Sequence, residues 1–214
     1  MPPAMRQPLV GLGVCCALAA FASPARGQTA LGQPPGQWGA MATAFYAIGT
    51  DPNFAMAVLA ADRGPLHLEA RYNYEELDTF SGWVGWAFTT GSELQIGVGP
   101  MVGAVVGELD GVAPGLRLAA RWRRFSFYSE AEYVVPLDGD GNAFFYSWSQ
   151  WAWLPLDWLT TGVSVQRLRV TETGRWVDVG PAVGVSFGRT TLQGFLFNPF
   201  SGDAYGFLGA SVFF

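Results

Sequence analysis

The feature that most constrains the fold of this chain is an alternation of apolar residues with polar or small ones along much of its length. Leu94, Ile96 and Val98 begin a series that continues on every second residue to Val106, with glycine, glutamine, methionine or, once, valine between its members. Similar series cover residues 66–75, 115–123 and 177–187. Strict alternation over about ten residues is typical of a β-strand with two different faces. The sequence therefore predicts an all-β chain.

The composition indicates that the apolar face of these strands meets lipid. Half of the residues are hydrophobic and only 14% are charged, whereas soluble domains carry about 25% charged residues. After residue 27 no segment approaches the run of about 20 apolar residues that a membrane helix requires. One apolar face opposite a face of charge and glycine is typical of strands with lipid outside and a lumen inside. The net charge of −5 argues against a nucleic-acid partner, which would require a basic face.

The N-terminus has the pattern of a secretory signal peptide. Arg6 precedes an apolar segment from Leu9 to Phe21, and Ala25-Arg26-Gly27 fits a small-x-small cleavage site. We expect a signal peptide over residues 1–27, a flexible lead-in over 28–36 and a transmembrane barrel over 37–214. Cys15 and Cys16 fall within the signal, so the mature chain is expected to have no disulfide and no thiolate metal site.

Turn-forming residues give the number of strands. Eleven clusters rich in glycine, proline, asparagine, aspartate, arginine or serine interrupt the alternation, at residues 49–53, 62–65, 75–79, 90–92, 107–114, 123–124, 136–142, 155–157, 171–175, 188–189 and 199–203. Eleven breaks predict twelve strands in a single closed antiparallel β-barrel, an even number as bacterial barrels require. Because residues 54–61 are uniformly apolar, ten strands is the alternative. Longer, acidic breaks alternate with tight ones, so the tight turns are expected at the end that holds both termini.

The two-residue break at 123–124 also predicts a register. A two-residue hairpin loop pairs Trp122 with Phe125, and stepping back along both strands places Arg117 opposite Glu130 on the lumenal face. A slip of one residue would turn Arg117 into lipid, so we expect this register to be tightly fixed.

Aromatic residues near the predicted turns are expected to form two girdles at the headgroup levels of the membrane. The set near the tight turns comprises Trp122, Phe125, Trp153, Trp158 and Phe187. The set near the longer loops comprises Tyr72, Tyr74, Phe80, Phe144, Tyr146 and Trp176.

The C-terminus carries an alternating apolar segment that ends on an aromatic residue, comprising Tyr205, Leu208, Ala210, Val212 and Phe214. This segment resembles the C-terminal β-signal of outer-membrane proteins of Gram-negative bacteria. The resemblance implies a porin-like barrel in contact with outer-membrane lipid. It also implies that the barrel assembly machinery and periplasmic chaperones handle the chain during biogenesis.

No catalytic residue, metal site or cofactor is predicted. His67 is the only histidine, and a lipid-modifying enzyme would need a serine or other nucleophile beside such a base. The residue two positions after it, on the same face, is Glu69. Asp138, Asp140 and Asn142 resemble the start of a calcium loop, but the later glutamate of such a loop is missing.

The predicted lumenal face carries charges of both signs, on His67, Glu69, Arg71, Glu75, Glu93, Arg117, Arg121, Glu130, Glu132 and Asp178. One interpretation is the lining of a small passive pore for small polar solutes. The other is a network of ion pairs that plugs a narrow lumen, since charges inside a barrel are stable when they pair or are hydrated. A non-transporting structural or loop-binding barrel is an alternative, and a membrane lipid-modifying enzyme is a more distant one. The oligomeric state is left open.

Overall fold

The computed structural model describes Leu31 and residues 36–137, 142–171 and 174–214. The predicted signal peptide, most of the lead-in, and Asp138 and Asp140 of the calcium-like run lie outside the described residues. Among the residues described, no helix is long and apolar enough to cross a membrane.

The described residues form β-strands joined by turns and loops, as the alternation predicts. The strands are β1 (Trp38–Ile48), β2 (Ala55–Arg63), β3 (Leu66–Tyr72), β4 (Thr79–Trp86), β5 (Phe88–Thr90), β6 (Leu94–Gly107), β7 (Gly111–Trp122), β8 (Phe125–Pro136), β9 (Phe144–Leu156), β10 (Leu159–Val170), β11 (Gly174–Phe187), β12 (Thr190–Phe197) and β13 (Tyr205–Phe213).

Twelve of these strands close into a ring, which confirms the predicted twelve-stranded antiparallel barrel. Each strand pairs with its neighbours in sequence, β4 pairs with β6, and β1 pairs with β13 to complete the circle. The short β5 lies outside this count, because it follows the line of β4 and pairs with β6 in the same register. The gap between β4 and β5 lies opposite Pro100, which has no backbone N–H to donate.

The turns and the hairpin register also agree with the sequence. The tight connections at residues 64–65, 123–124, 157–158 and 188–189 lie at the end of the barrel that holds Trp38 and Phe213. Six consecutive pairs join β7 to β8, from Trp122 opposite Phe125 to Arg117 opposite Glu130, as predicted. The turn between them contains no glycine and places Arg123 in the left-handed region, with φ of 53°.

Burial alternates along the strands and separates a lipid face from a lumenal face. On β6, Val98 and Val102 are exposed, whereas Gly97 and Met101 are buried inside the ring. All five aromatic residues predicted for the girdle near the tight turns are exposed, as that girdle requires. The girdle near the longer loops is partly wrong. Tyr74, Phe144 and Tyr146 are buried, because the two strand residues occupy inward positions on β9 and Tyr74 folds inward from the β3–β4 loop.

Two large inward rings are seated on glycines of the adjacent strand. Trp83 on β4 lies directly opposite Gly103 on β6, and Phe45 on β1 lies directly opposite Gly209 on β13. A Cβ atom at either glycine would overlap the ring that covers it. These glycines therefore provide the space that lets aromatic side chains lie flat against the inner wall.

Candidate lumenal site

A buried arginine on β3 links two separate parts of the barrel wall. The Arg71 guanidinium donates to Glu69 Oε1 at 2.5 Å, to Glu130 Oε1 at 2.6 Å and to Glu132 Oε2 at 2.9 Å, with a longer contact of 3.4 Å to Glu75 Oε1. Glu130 and Glu132 belong to β8, which is four places from β3 around the ring. All five side chains are nine-tenths or more buried. We call these five residues the Arg71 cluster.

Hydroxyl and indole groups donate further hydrogen bonds to two of the carboxylates in this cluster, Glu130 and Glu75. The Tyr74 and Tyr128 hydroxyls donate to the two oxygens of Glu130, at 2.9 and 2.7 Å. Ser81 Oγ and Trp83 Nε1 donate to Glu75 Oε1, at 2.6 and 3.2 Å. The Arg71 guanidinium also lies over the rings of Tyr74 and Trp83, 4.0 and 4.4 Å from their centroids. Cation–π contacts of this kind add to the ion pairs where water is excluded.

Glu75 occupies the loop between β3 and β4, where it closes the cluster from the longer-loop end. Burial raises the pKa of this carboxyl above its ordinary value, although Arg71 acts in the opposite direction. Its Oε2 atom is buried and has no hydrogen-bond partner among the described residues.

His67 is held between two carboxylates on the lumenal face. Its Nδ1 lies 2.8 Å from Asp62 Oδ1, and its Nε2 lies 2.9 Å from Glu69 Oε2. A histidine ring can donate to an acceptor at both nitrogens only when both carry protons. In this arrangement neither nitrogen is free to take a proton from a nucleophile.

The remaining residues of the predicted lumenal set lie outside these contacts. Arg117 is buried beside Gly99, and its Nε and Nη2 atoms find no hydrogen-bond partner in the described part of the chain. Arg117 lies opposite Glu130 in the strand register, but the Glu130 carboxylate accepts its hydrogen bonds from Arg71 and two tyrosines. Arg121 is half-buried nearer the tight-turn end.

Asp178 and Glu93 lie away from the Arg71 cluster. Asp178 accepts hydrogen bonds from Asn198 Nδ2 at 2.6 Å and from the Tyr205 hydroxyl at 2.9 Å, on the opposite side of the ring. Glu93 is exposed in the turn before β6. Within the described residues, no group of three or more histidine, cysteine or acidic side chains is arranged to hold a metal ion.

An aromatic cluster, which the sequence analysis did not predict, fills the other side of the lumen. Trp148 on β9 meets Phe195 and Phe197 of β12 edge-on, with centroids 5.0 and 5.3 Å apart, and Phe207 of β13 at 6.4 Å. Phe45 of β1 extends the group through Phe195 at 6.1 Å. The apolar first part of β2 adds Met56 and Val58 to this side of the interior.

Four inward side chains on β9 and β10 form what we call the neutral polar wall: Trp148, Gln150, Ser164 and Gln166. Gln150 lies directly opposite Ser164, and Trp148 lies directly opposite Gln166. All four are buried, and each has at least one polar atom without a hydrogen-bond partner in the described structure. Within each strand these residues are two positions apart, so they share a face in the sequence pattern. The pattern did not show which face points inward, because β9 has aromatic residues on both.

The terminal segment is divided between the two faces. Leu208, Ala210 and Phe214 are exposed on the outer face, and Val212 shares their parity. Tyr205 points inward, where its ring stacks on Phe197 at 5.3 Å.

The closed ring, the apolar outer face and the polar groups inside define a bacterial outer-membrane β-barrel protein. No protein-family model matches the chain, and no curated protein matches it significantly.

Two solved structures from Pseudomonas aeruginosa are distantly similar. OccK5 (OpdH) has 10% identity and a TM-score of 0.44, over 79% of this chain and 62% of its own. The outer membrane protein opdK has 12% identity and the same TM-score, over 79% of this chain and 60% of its own. The chain therefore spans about three-fifths of each of these structures, and similarity at this level says nothing about its activity.

Proposed function

We propose that this protein is an outer-membrane barrel whose lumen is plugged by its own side chains, so that it does not serve as an open general pore. The observation that carries the proposal is the contact of Arg71 on β3 with Glu130 and Glu132 on β8, which links two parts of the wall through the interior. The aromatic cluster occupies the other side in the same way, from Trp148 on β9 to Phe207 on β13.

The ion pairs inside the barrel support a plugged lumen more than an open path for ions. Glu69, Glu75, Glu130 and Glu132 converge on one guanidinium. Paired, buried charges of this kind are held by several hydrogen bonds, and removing one partner is strongly destabilising. A hydrated ion that passed through the cluster would have to separate these pairs.

Single-channel recording in planar bilayers tests the proposal. The wild-type protein should insert without steady ionic conductance, whereas Trp148→Ala should open the aromatic side and produce conducting steps. The matched control is Trp151→Ala on the outer face of the same strand, which should remain silent. Regular ohmic steps from the wild-type protein, equal to those of Trp148→Ala, would refute a plugged lumen.

A narrow channel for small polar solutes is the second candidate function. It is favoured by buried polar atoms that have no hydrogen-bond partner in the described part of the chain. On the wall from β6 to β8 these include Gln95 Oε1, Ser126 Oγ and two nitrogens of Arg117. Buried polar groups in proteins are nearly always paired with protein or water, so this wall is suited to hydration. Swelling of proteoliposomes in small sugars and amino acids would distinguish this candidate, because a plugged barrel gives no swelling above that of empty vesicles.

A further inference from the structure

We infer that the neutral polar wall is a binding site for a small uncharged polyhydroxylated solute, such as a sugar or a polyol. The inference goes beyond the proposed plug, because a binding site on one wall does not depend on whether ions cross the barrel. It is carried by Trp148, Gln150, Ser164 and Gln166, which lie side by side on two paired strands.

The unpartnered atoms of this wall match the chemistry of hydroxyl groups. Within the described structure, Gln150 has neither its Oε1 nor its Nε2 paired, although the side chain is fully buried. Three atoms beside it, Ser164 Oγ, Gln166 Nε2 and Trp148 Nε1, also have no hydrogen-bond partner among the described residues. The set therefore offers both donors and acceptors. A hydroxyl group is both at once, so a polyol can satisfy such a set with a single kind of group.

The lack of charge and the size of the wall limit the range of possible ligands further. The four side chains carry no charge, and the acidic residue opposite Trp148 on β8, Glu130, is already bonded to Arg71, Tyr74 and Tyr128. Directly opposed residues lie about 5 Å apart, and residues two positions along a strand lie about 7 Å apart. The patch is thus about the size of a molecule with four to six carbon atoms.

An aromatic ring beside the polar groups adds an apolar contact surface. Trp148 belongs both to the wall and to the aromatic cluster, where Phe195 and Phe197 meet it edge-on. The C–H groups of a sugar can pack on such rings while its hydroxyls reach the amides. Since the Phe195 and Phe197 rings contact Trp148 and the wall is almost fully buried, we expect a ligand that packs on Trp148 to displace them. Phe195→Ala should therefore increase the fraction of protein that binds.

Saturation-transfer NMR on the full-length protein in micelles tests the site, with erythritol and glucose as probes and gluconate and glucosamine as charged controls. Wild-type protein should give transfer to the two neutral probes and at least fivefold less to the charged compounds. Gln150→Leu and Ser164→Ala should each reduce transfer to the neutral probes at least fivefold. Equal transfer to all four compounds, or unchanged transfer in both variants, would overturn the inference.

A stability measurement separates a ligand role from a structural one. Gln150→Leu removes unpaired buried atoms while it keeps the volume, so its unfolding midpoint in urea should rise above that of the wild type. The control is Gln193→Leu on β12, because the buried Gln193 donates from Nε2 to Ser211 Oγ at 3.0 Å and only its Oε1 lacks a partner among the described residues, whereas Gln150 has neither atom paired. That variant should unfold more easily and still bind glucose. A lower midpoint for Gln150→Leu would show that the amide supports the fold, and would contradict the site.

Discussion

Replacing Arg71 by methionine should severely destabilise the barrel, because it leaves four buried carboxylates facing one another. The guanidinium makes three hydrogen bonds of 2.5 to 2.9 Å and a fourth contact of 3.4 Å, all to carboxylate oxygens. Removing one partner of a buried ion pair costs about 3–5 kcal/mol. Since several acids share this arginine, we expect Arg71→Met to reach at least the lower end of that range.

Two further variants should separate the contribution of the positive charge of Arg71 from that of its hydrogen-bond geometry. Arg71→Lys keeps the positive charge but cannot reproduce the planar set of donors that reaches Glu69, Glu130 and Glu132 together. We expect it to lose about 1.5–3 kcal/mol, the value of one hydrogen bond to a charged group. Adding Glu130→Gln to Arg71→Met removes one unpaired charge, so the double variant should be more stable than the single one.

Urea unfolding of the protein in lipid vesicles, followed by its heat-modifiable migration on gels, measures these differences. The control is Arg169→Met, because Arg169 is exposed on the outer face one residue from the end of β10, where a charged residue costs about 0–1 kcal/mol. If Arg71→Met lies within about 1 kcal/mol of the wild type, the carboxylates are not held by Arg71, and the plug would need another explanation.

Three further outcomes are expected. Val102→Arg, at the exposed centre of β6, should cost about 2–4 kcal/mol in vesicle unfolding, whereas Val106→Arg near the strand end should cost about 0–1 kcal/mol; equal effects would contradict the assigned lipid face. Deleting Phe214 should lower the amount of protein in the outer membrane several-fold in cell fractionation, whereas Phe187→Ala, at a similarly exposed ring, should not, and equal levels would contradict the β-signal. Burial, and next the Glu108 carboxylate, raise the pKa of Glu76 in the β3–β4 loop above its ordinary value of 4.5. A carboxyl with a raised pKa stabilises the folded state below pH 4.5, and this stability is lost as the pH rises. We therefore expect Glu76→Gln to be more stable than the wild type at pH 8 and equal to it at pH 4. A difference in unfolding free energy that does not change with pH would exclude the titration of Glu76 as the cause.

Most of the fold could be predicted from the sequence, because lipid and lumen impose opposite demands on successive residues. On β6 this contrast is nearly perfect, and the strand bounds follow from it. The register of β7 and β8 could also be predicted from the sequence. A two-residue turn allows only one pairing of the strands, and a slip of one residue would place Arg117 in lipid. Residues 54–61 were harder to assign to a strand, because the inner residues Met56 and Val58 face the apolar side of the lumen and so remove the alternation.

The contacts across the lumen could not be predicted, because alternation assigns a residue to a face and says nothing about its opposite wall. Arg71 and Glu130 were both placed on the lumenal face, but their meeting depends on the curvature of the ring. For the same reason the sequence paired Arg117 with Glu130, whereas the structure gives that carboxylate to Arg71. The aromatic cluster was missed because β9 has aromatic residues on both faces, so Tyr146 was expected at the membrane surface.

The seam between β1 and β13 has a consequence for the order of folding. It joins the first and the last strand of the chain. Across it the Thr43 hydroxyl donates to Ser211 Oγ at 2.7 Å, and the two residues are 168 positions apart in the sequence. The other ladders join strands that follow one another along the chain. Contacts between distant residues form slowly, because the entropy of closing a long loop is lost before the contact is gained. We therefore expect the seam to form after the rate-limiting step, so that Thr43→Ala speeds unfolding and leaves the folding rate almost unchanged.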